Sequence, residues 1–510
     1  MNLAAIDIGT NSIHMIIVKV LAKDNFEILM QEKTMVKLGS GVFATKELSP
    51  TAFESGIETI KRYVQLADQY GVDDIITSAT SATREAKNGR EFLDRLIAET
   101  GISPQLIPGK EEARLIFMAV RRAIALKKEK VLVLDIGGGS TEAVTGDDSS
   151  IDYASSIKLG VLRLLDWVGH EGALDKKSQD ELVNHIRQTA EKNMTKAREA
   201  GFNRVIGTSG TIRTLAEACL SKTKNPSPEA VNAEVVSLKD LEKLREKLVR
   251  LSPEKRAEIT GISSNRTDAI HLGAILLVEL LHLAGTKEIT ISDASLREGM
   301  IINHIEKHGV QVTESVLGKN VRERSTFLLA MRYEANLEEK KHIARLALQL
   351  FDQLKHLHHA GDYERELLYH ACLVFDVGLY VKFQNYHKHS RYIIENSLLR
   401  GFTNEEVLLL GYLARYHRKS GPKKKHKKFR KLSQQQRSQL SLLSGILRIA
   451  VGLDKTKNQW AQNVYCLPED GKLTIKVFGQ ENLDLEIWEA QRYSNTLAKY
   501  LHKEIHLENG

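Results

Sequence analysis

Two short stretches constrain this chain more than any others: Asp7-Ile8-Gly9-Thr10-Asn11-Ser12 and Asp135-Ile136-Gly137-Gly138-Gly139-Ser140. They stand 128 residues apart and share Asp, Ile, Gly, two variable residues and Ser in that order. Each is entered from an apolar run, Leu3–Ile6 or Val131–Leu134, and left into another, Ile13–Val18 or Ala143–Val144. That pattern predicts strand, tight turn, strand, twice over, and hence a duplicated domain with equivalent turns. Glycine allows positive φ and close backbone approach, so successive amides can point at one anion. Asp135 and Glu142 bracket the second turn, and amides flanked by carboxylates suit a phosphate chain with its divalent cation. A single such loop could equally be a plain β-turn with surface acids. The agreement of two independent turns argues against that.

At 510 residues the chain is long enough for about three or four domains. Hydrophobic residues at 42% and charged ones at 27% exclude a disordered or fibrous protein. Cys219, Cys372 and Cys466 are far apart and in no ligand spacing, which predicts a reducing compartment with neither a disulfide framework nor a zinc knuckle. No apolar run reaches the ~18 residues of a membrane span, and Asp7 falls where a signal peptide would be apolar. The expectation is a cytoplasmic protein. The formal charge of +8 is local: residues 418–431 hold nine Lys or Arg and no acid, and without them the balance is −1. A polyanion is the natural partner for such a run, and a solvated lysine-rich loop is the plain alternative.

Between and beyond the two turns the chain reads coarsely as α/β. Ser49-Pro50 predicts a helix start, with Phe53, Ile57, Ile60 and Val64 at helical spacing. Ile75–Ser78 reads as a short strand running into the hydroxyl-rich stretch up to Arg84, either the floor of an anion site or a surface turn. Gly109-Lys-Glu111-Glu112-Ala113 enters a helix, where first-turn acids are favoured by the macrodipole alone. Arg204–Thr211 is a third strand and hydroxyl turn, and Ile289–Ser292 a last strand before a helix start. After about residue 310 helical stripes take over, one through Ile343, Leu346, Leu350 and Leu354, another through Leu367, Ala371 and Val374. His342, His370, His387, His389 and His417 gather in this part of the sequence. Val464–Leu467, a turn at Glu469–Gly471 and Leu473–Phe478 read as a hairpin, with a helix near 489–502.

Seven segments in order, from residues 4–17 through LGSGVFATKELSP at 38–50, SATREAKN, GKEEARLIF, DIGGGSTE and GTSGTIRTLAE to SDASLREGM at 292–300, resemble the exopolyphosphatase and guanosine pentaphosphate phosphohydrolase family. The resemblance implies two actin-like (ribonuclease H-like) ATPase domains, 1–124 and 125–308, with an interdomain cleft. A helical HD-like domain, 309–460, and a small α+β C-terminal domain, 461–510, would follow. Glu112 then matches the family's general base, and Arg84 an arginine that contacts the phosphate chain. Asp135 and Glu142 match the metal carboxylates. Gly137, Gly138, Gly139, Ser140, Thr208, Ser209 and Gly210 would surround the phosphates, with Asp7, Gly9, Asn11 and Ser12 on the opposite wall. The implied cofactor is Mg²⁺, with Mn²⁺ and monovalent K⁺ as further options, and the implied assembly is a homodimer.

The implied reaction is hydrolysis of the terminal phosphoanhydride of inorganic polyphosphate. Guanosine pentaphosphate is the close alternative, since both present phosphoanhydride ends to the same loops; no specific nucleic-acid partner is expected. A phosphotransferase of the sugar-kinase type would share the Asp-Ile-Gly turns, but the Glu-Glu-Ala motif counts against it. Intact Glu112, Asp135 and Glu142 count against a non-enzymatic sensor. In the helical domain Val374-Phe375-Asp376 departs from the His-Asp pair of an active HD site, which leaves His342, Asp376 and Asp454 and predicts a metal-free domain. Lys423, Lys424, Lys425, Lys427 and Lys428 of the basic run are expected to guide a long polyanion.

Overall fold

The computed structural model describes residues 1–22, 25–221, 231–308, 320–423 and 426–510. The chain divides into two compact units, Met1–Val316 and Leu317–Gly510. Lys424 and Lys425 of the expected polyanion guide lie outside the described residues, Lys423 is exposed, and Lys427–Arg430 forms a single helical turn.

The first unit holds two sheets built alike. In one, β1 (Asn2–Ile8), β2 (Ile13–Ala22), β3 (Asn25–Thr34), β4 (Asp74–Ala79) and β5 (Gln105–Leu106) take the order β3-β2-β1-β4-β5. In the other, β6 (Val131–Ile136), β7 (Thr141–Gly146), β8 (Ile151–Ile157), β9 (Arg204–Thr208), β10 (Val235–Ser237) and β11 (Glu288–Ile291) are ordered β10-β11-β9-β6-β7-β8. Both sheets have three antiparallel strands from consecutive hairpins, then a parallel strand beside the first. The expected duplication therefore extends past the turns to the connectivity around them. β1 and β6 are central, and Leu3–Ile6 and Val131–Leu134 are fully buried on both faces, as unbroken apolar runs require.

Helices pack against these sheets. Pro50–Gln69 starts where expected, the Ser49 hydroxyl accepting the Ala52 N–H at 3.3 Å, and it buries Phe53, Ile57 and Ile60. The hydroxyl-rich stretch after β4 turns into a short helix, Ser81–Glu85. The sequence pattern did not single out β3, β8 or β10, nor two long helices, Lys176–Ala200 and Ile270–Ala284. The latter is apolar on nearly every side and buried along its length, so it shows no stripe.

In the second unit, helices Leu337–Gln353, Asp362–Val374, Tyr386–Glu395, Asn404–Tyr416 and Gln434–Gly452 share one apolar core with a three-stranded sheet. That sheet is β12 (Ala461–Pro468), β13 (Lys472–Gly479) and β14 (Glu504–Asn509), with β12 and β13 forming the expected hairpin. Two expectations change here. The helix near 489–502 is two helices, Asp484–Tyr493 and Asn495–Leu501, broken at Ser494, whose hydroxyl donates to the Gln491 carbonyl at 2.9 Å. Beyond them β14 adds to the sheet in parallel with β13, burying Ile505 and Leu507 on its inner face.

Candidate active site

The two Asp-Ile-Gly turns meet inside the first unit. A Cβ on Gly138 would lie 2.9 Å from the side chain of Thr10, and one on Gly139 would lie 2.4 Å from Phe43 and 2.5 Å from Ser81. None of Gly9, Gly137, Gly138 and Gly139 has a positive φ. Glycine is required at Gly138 because Thr10 of the opposing turn leaves no room for a side chain, and at Gly139 because Phe43 and Ser81 leave none, not because the backbone is left-handed. The Arg163 guanidinium fixes this contact: Nε donates to the Gly139 carbonyl at 2.7 Å, Nη2 binds Glu85, and the group lies 4.0 Å over the Phe43 ring.

Strand register places the acids. Asp135 sits directly across the β6–β7 hairpin from Glu142, and Asp7 pairs with His14 across β1–β2. Like charges directly opposite on a ladder are destabilising, so the Asp135–Glu142 pair is a strained arrangement. The first turn of the helix Gly109–Ala123 brings in Glu112, which is buried. Burial raises the pKa of all four acids. Glu112 is pushed further up by Glu142, and Asp135 by Glu142 and Asp7. Glu142 rises to about 7 despite hydrogen bonds from Ser156 and Ser140, and Asp7 rises to about 6 although Arg297 opposes the shift. Asp7 Oδ1, Asn11 Oδ1 and Glu112 Oε2 are buried acceptors with no hydrogen-bond donor in the protein.

These groups line a cavity of about 530 Å³, together with Gly9, Ser12, Gly137–Gly139, Ser140, Ser209 and Gly210. Ser209 is backbone-strained, with φ 97° outside glycine, and caps the helix Gly210–Leu220, whose first residues face the cavity. Two expected residues are placed differently. Thr208 is fully buried behind the cavity wall, its hydroxyl donating to the Ala294 carbonyl. Arg84 lies beside Glu112, with Nη1 3.6 Å from Oε2, too long for a hydrogen bond, while it donates to the Ile107 carbonyl at 2.6 Å.

The cavity also has a cationic lining that the sequence did not announce: Lys33, Arg213, Arg266 and Arg297. Burial and the three arginines lower Lys33 to about 8. Burial, then Arg297, Lys33 and Arg266, keep His14 far below its ordinary range, so its ring is neutral where it meets the Ser12 hydroxyl at 2.6 Å. The Arg266 guanidinium packs on Gly210, where a Cβ would lie 2.0 Å from Nη2. Arg213 and Arg297 fall within segments already singled out, GTSGTIRTLAE and SDASLREGM, so a search for basic residues there would have found two of the four.

Among the described residues no group of three or more His, Cys, Asp or Glu is close enough to hold a metal by itself. A Mg²⁺ ion suits one or two carboxylates completed by substrate phosphates and water. Asp135 and Glu142, opposed and uncompensated, fit that donor set. The five histidines of the helical segment do not converge on one point. His370 bonds Thr326 at 3.1 Å, while His417 donates to the Ala414 carbonyl at 2.6 Å and meets the Tyr386 hydroxyl at 3.0 Å.

Comparison with known proteins matches residues 16–308 to the Ppx/GppA phosphatase family and residues 321–500 to Ppx/GppA phosphatase domain III. An exopolyphosphatase from Cytophaga hutchinsonii is 29% identical over 61% of this chain and 99% of its own, with a TM-score of 0.57. The Aquifex aeolicus Ppx/GppA family member is 26% identical over 61% of this chain and 99% of its own, with a TM-score of 0.52.

Proposed function

From its place in the Ppx/GppA phosphatase family, to which this chain belongs, we infer that the first unit hydrolyses the terminal phosphoanhydride of inorganic polyphosphate, releasing orthophosphate. The observation that carries this reading is one cavity with buried carboxylates Asp7, Asp135, Glu142 and Glu112 and the cations Lys33, Arg213, Arg266 and Arg297 in its walls. We take the repeated sheet order as the two halves of an actin-like fold, with this cavity as its cleft.

Phosphoryl transfer asks mainly for positioning and charge stabilisation. The cationic residues bind the polyanion, and the turn and helix-start amides around Gly138–Ser140 and Gly210 orient its end. Mg²⁺ held by Asp135 and Glu142 would neutralise charge on the phosphate oxygens. Glu112 acts as general base. The attacking water's oxygen bonds to the terminal phosphorus as the bridging P–O bond breaks, the shortened chain leaves with the bridging oxygen, and the water's proton passes to Glu112. Arg84, 3.6 Å from that carboxylate, favours its ionised form against the neighbouring acids and holds it in place.

The test is phosphate release from long-chain polyphosphate and from guanosine pentaphosphate, side by side, with and without Mg²⁺. Glu112→Gln should lower kcat about 10²–10⁴-fold while polyphosphate binding persists. Wild-type turnover in that variant would remove Glu112 from the mechanism, and phosphate release from guanosine pentaphosphate alone would change the substrate.

A further inference from the structure

In the second unit the helix Tyr386–Glu395 buries His387, Ser390, Ile393 and Ile394 and turns a different face outward. That face, at i, i+3, i+4 and i+7, is Lys388, Arg391, Tyr392 and Glu395. With Arg415 and Tyr416 from the helix Asn404–Tyr416, and with His426, it lines an open cavity of about 430 Å³.

The chemistry of the lining is selective. Arg391 is already engaged, donating to Glu395 at 2.6 Å and lying 4.1 Å over the Tyr412 ring. The single acid of the cavity is therefore neutralised from within. Lys388 is exposed and Arg415 half-buried, and neither has a carboxylate partner among the described residues. Burial, with Arg391 close by, holds the Arg415 guanidinium below its ordinary range, although the Tyr416 phenol opposes the shift, as suits a cation without a counter-charge. Beside these cations are prearranged rings. Tyr412 stacks on Tyr416 at 5.9 Å, Tyr416 stacks on His426 at 5.6 Å with planes 9° apart, and Tyr392 is 69% exposed at the cavity edge.

A bare phosphate chain would need the cations and leave the exposed Tyr392 ring idle. An uncharged aromatic would leave two cations unanswered. We propose that this cavity is a nucleotide site, with the phosphates of a nucleoside diphosphate on Lys388 and Arg415 and its base stacked on the exposed Tyr392 ring, while Tyr416, 4% exposed and already stacked on Tyr412 and His426, backs the cavity wall. The proposal rests on the second unit alone and stands or falls apart from the reaction assigned to the first.

Calorimetric titration of the full chain with ADP, and with inorganic pyrophosphate as the ringless control, tests it. Tyr392→Ala, at an exposed position that cannot unfold the helix, should weaken ADP about 10-fold and leave pyrophosphate unmoved, since base stacking on one aromatic is worth that much or more. Arg415→Gln should weaken both ligands about 10-fold, and the exposed Lys388→Gln gives the same test if Arg415→Gln does not fold. Photolabelling with 8-azido-ADP should mark peptides within residues 386–416. ADP affinity indifferent to all three substitutions, or labelling confined to the first unit, overturns the proposal. So does loss of both ligands with Arg415→Gln but no effect of Tyr392→Ala, which would mean a site for ringless anions.

Discussion

Each unit buries a cluster of acids, and the two clusters are compensated in opposite ways. In the first, burial raises the pKa of Asp7, Asp135, Glu142 and Glu112, with Glu142 and Asp7 pushing Asp135 and Glu112 further up, and Arg84 stays 3.6 Å from Glu112. In the second, the ammonium of Lys340 is buried between two carboxylates, bonded to Asp376 and, at 2.9 Å, to Glu339, and lies 4.6 Å from the Phe375 ring. Burial disfavours that charge, yet Asp376 and Glu339 outweigh it and hold the lysine above its ordinary range. Phe375, the residue the family resemblance puts where a ligand histidine would be, gives its ring face to the ammonium. On the proposed reading one cluster would receive a cation, whereas the other carries its own. The difference separates a site for chemistry from a site for structure, although both read in sequence as scattered acids.

Removing the internal cation should have the largest effect. Lys340→Met leaves Asp376 buried without a counter-charge, and breaking a buried pair from one side costs about 3–5 kcal/mol. Urea unfolding followed by Trp460 and Trp488, both in the second unit, should show that loss, while Trp167 in the first unit reports an unchanged midpoint. An unaltered second-unit transition would mean that the two clusters are not different in kind.

The first cluster should respond with the opposite sign. Glu142 moves from an ordinary 4.5 to about 7, and Asp7 from 3.8 to about 6. An acid with a raised folded pKa binds its proton more tightly when folded. Stability is therefore fully present below pH ~4 and declines as pH rises through about 6 and 7, with Glu112 and Asp135 acting in the same direction. Added Mg²⁺ should recover stability at pH 8 and have little effect at pH 5. Asp135→Asn removes one of two opposed charges and should stabilise the metal-free first unit at pH 8 by roughly 1–3 kcal/mol while abolishing phosphate release. Thermal unfolding from pH 4 to 9, with and without Mg²⁺, checks both signs. A stability that rises across that window would show the acids to be compensated after all.

How much of this was legible in the sequence depends on how local the signal is. The acids and glycines of both turns could be read because turn chemistry lies within six residues, and so could the Ser49-Pro50 helix start. Arg213 and Arg297 lay within readable motif segments, but Lys33 and Arg266 could not be read, because only the topology brings such distant residues to one cavity. Thr208 looked like a loop residue, but its register opposite Asp135 turns its hydroxyl to the Ala294 carbonyl. The helix Ile270–Ala284 carried no period because it is buried all round. β14 did carry one, the alternation of Ile505 and Leu507, too short to register beside the end of a helix. Lys340 was hidden for another reason: lysine in a helix is normally a surface residue, and only its partners show this one to be buried.

The smallest expected effect tests where the centre of the second cluster lies. Lys457 also reaches Glu339, at 3.3 Å from Oε2, but its side chain is 60% exposed whereas that of Lys340 is 1% exposed. Water screens the outer pair and leaves the inner one to low dielectric, so the same carboxylate should feel two very different lysines. Lys457→Ala should cost at most about 1 kcal/mol, and that cost should shrink in high salt. Combined with Lys340→Met, the loss should exceed the sum of the single losses, because Glu339 would then have neither partner. If Lys457→Ala proves as costly as Lys340→Met, the second cluster is held from its rim, and its likeness to a filled metal site is lost.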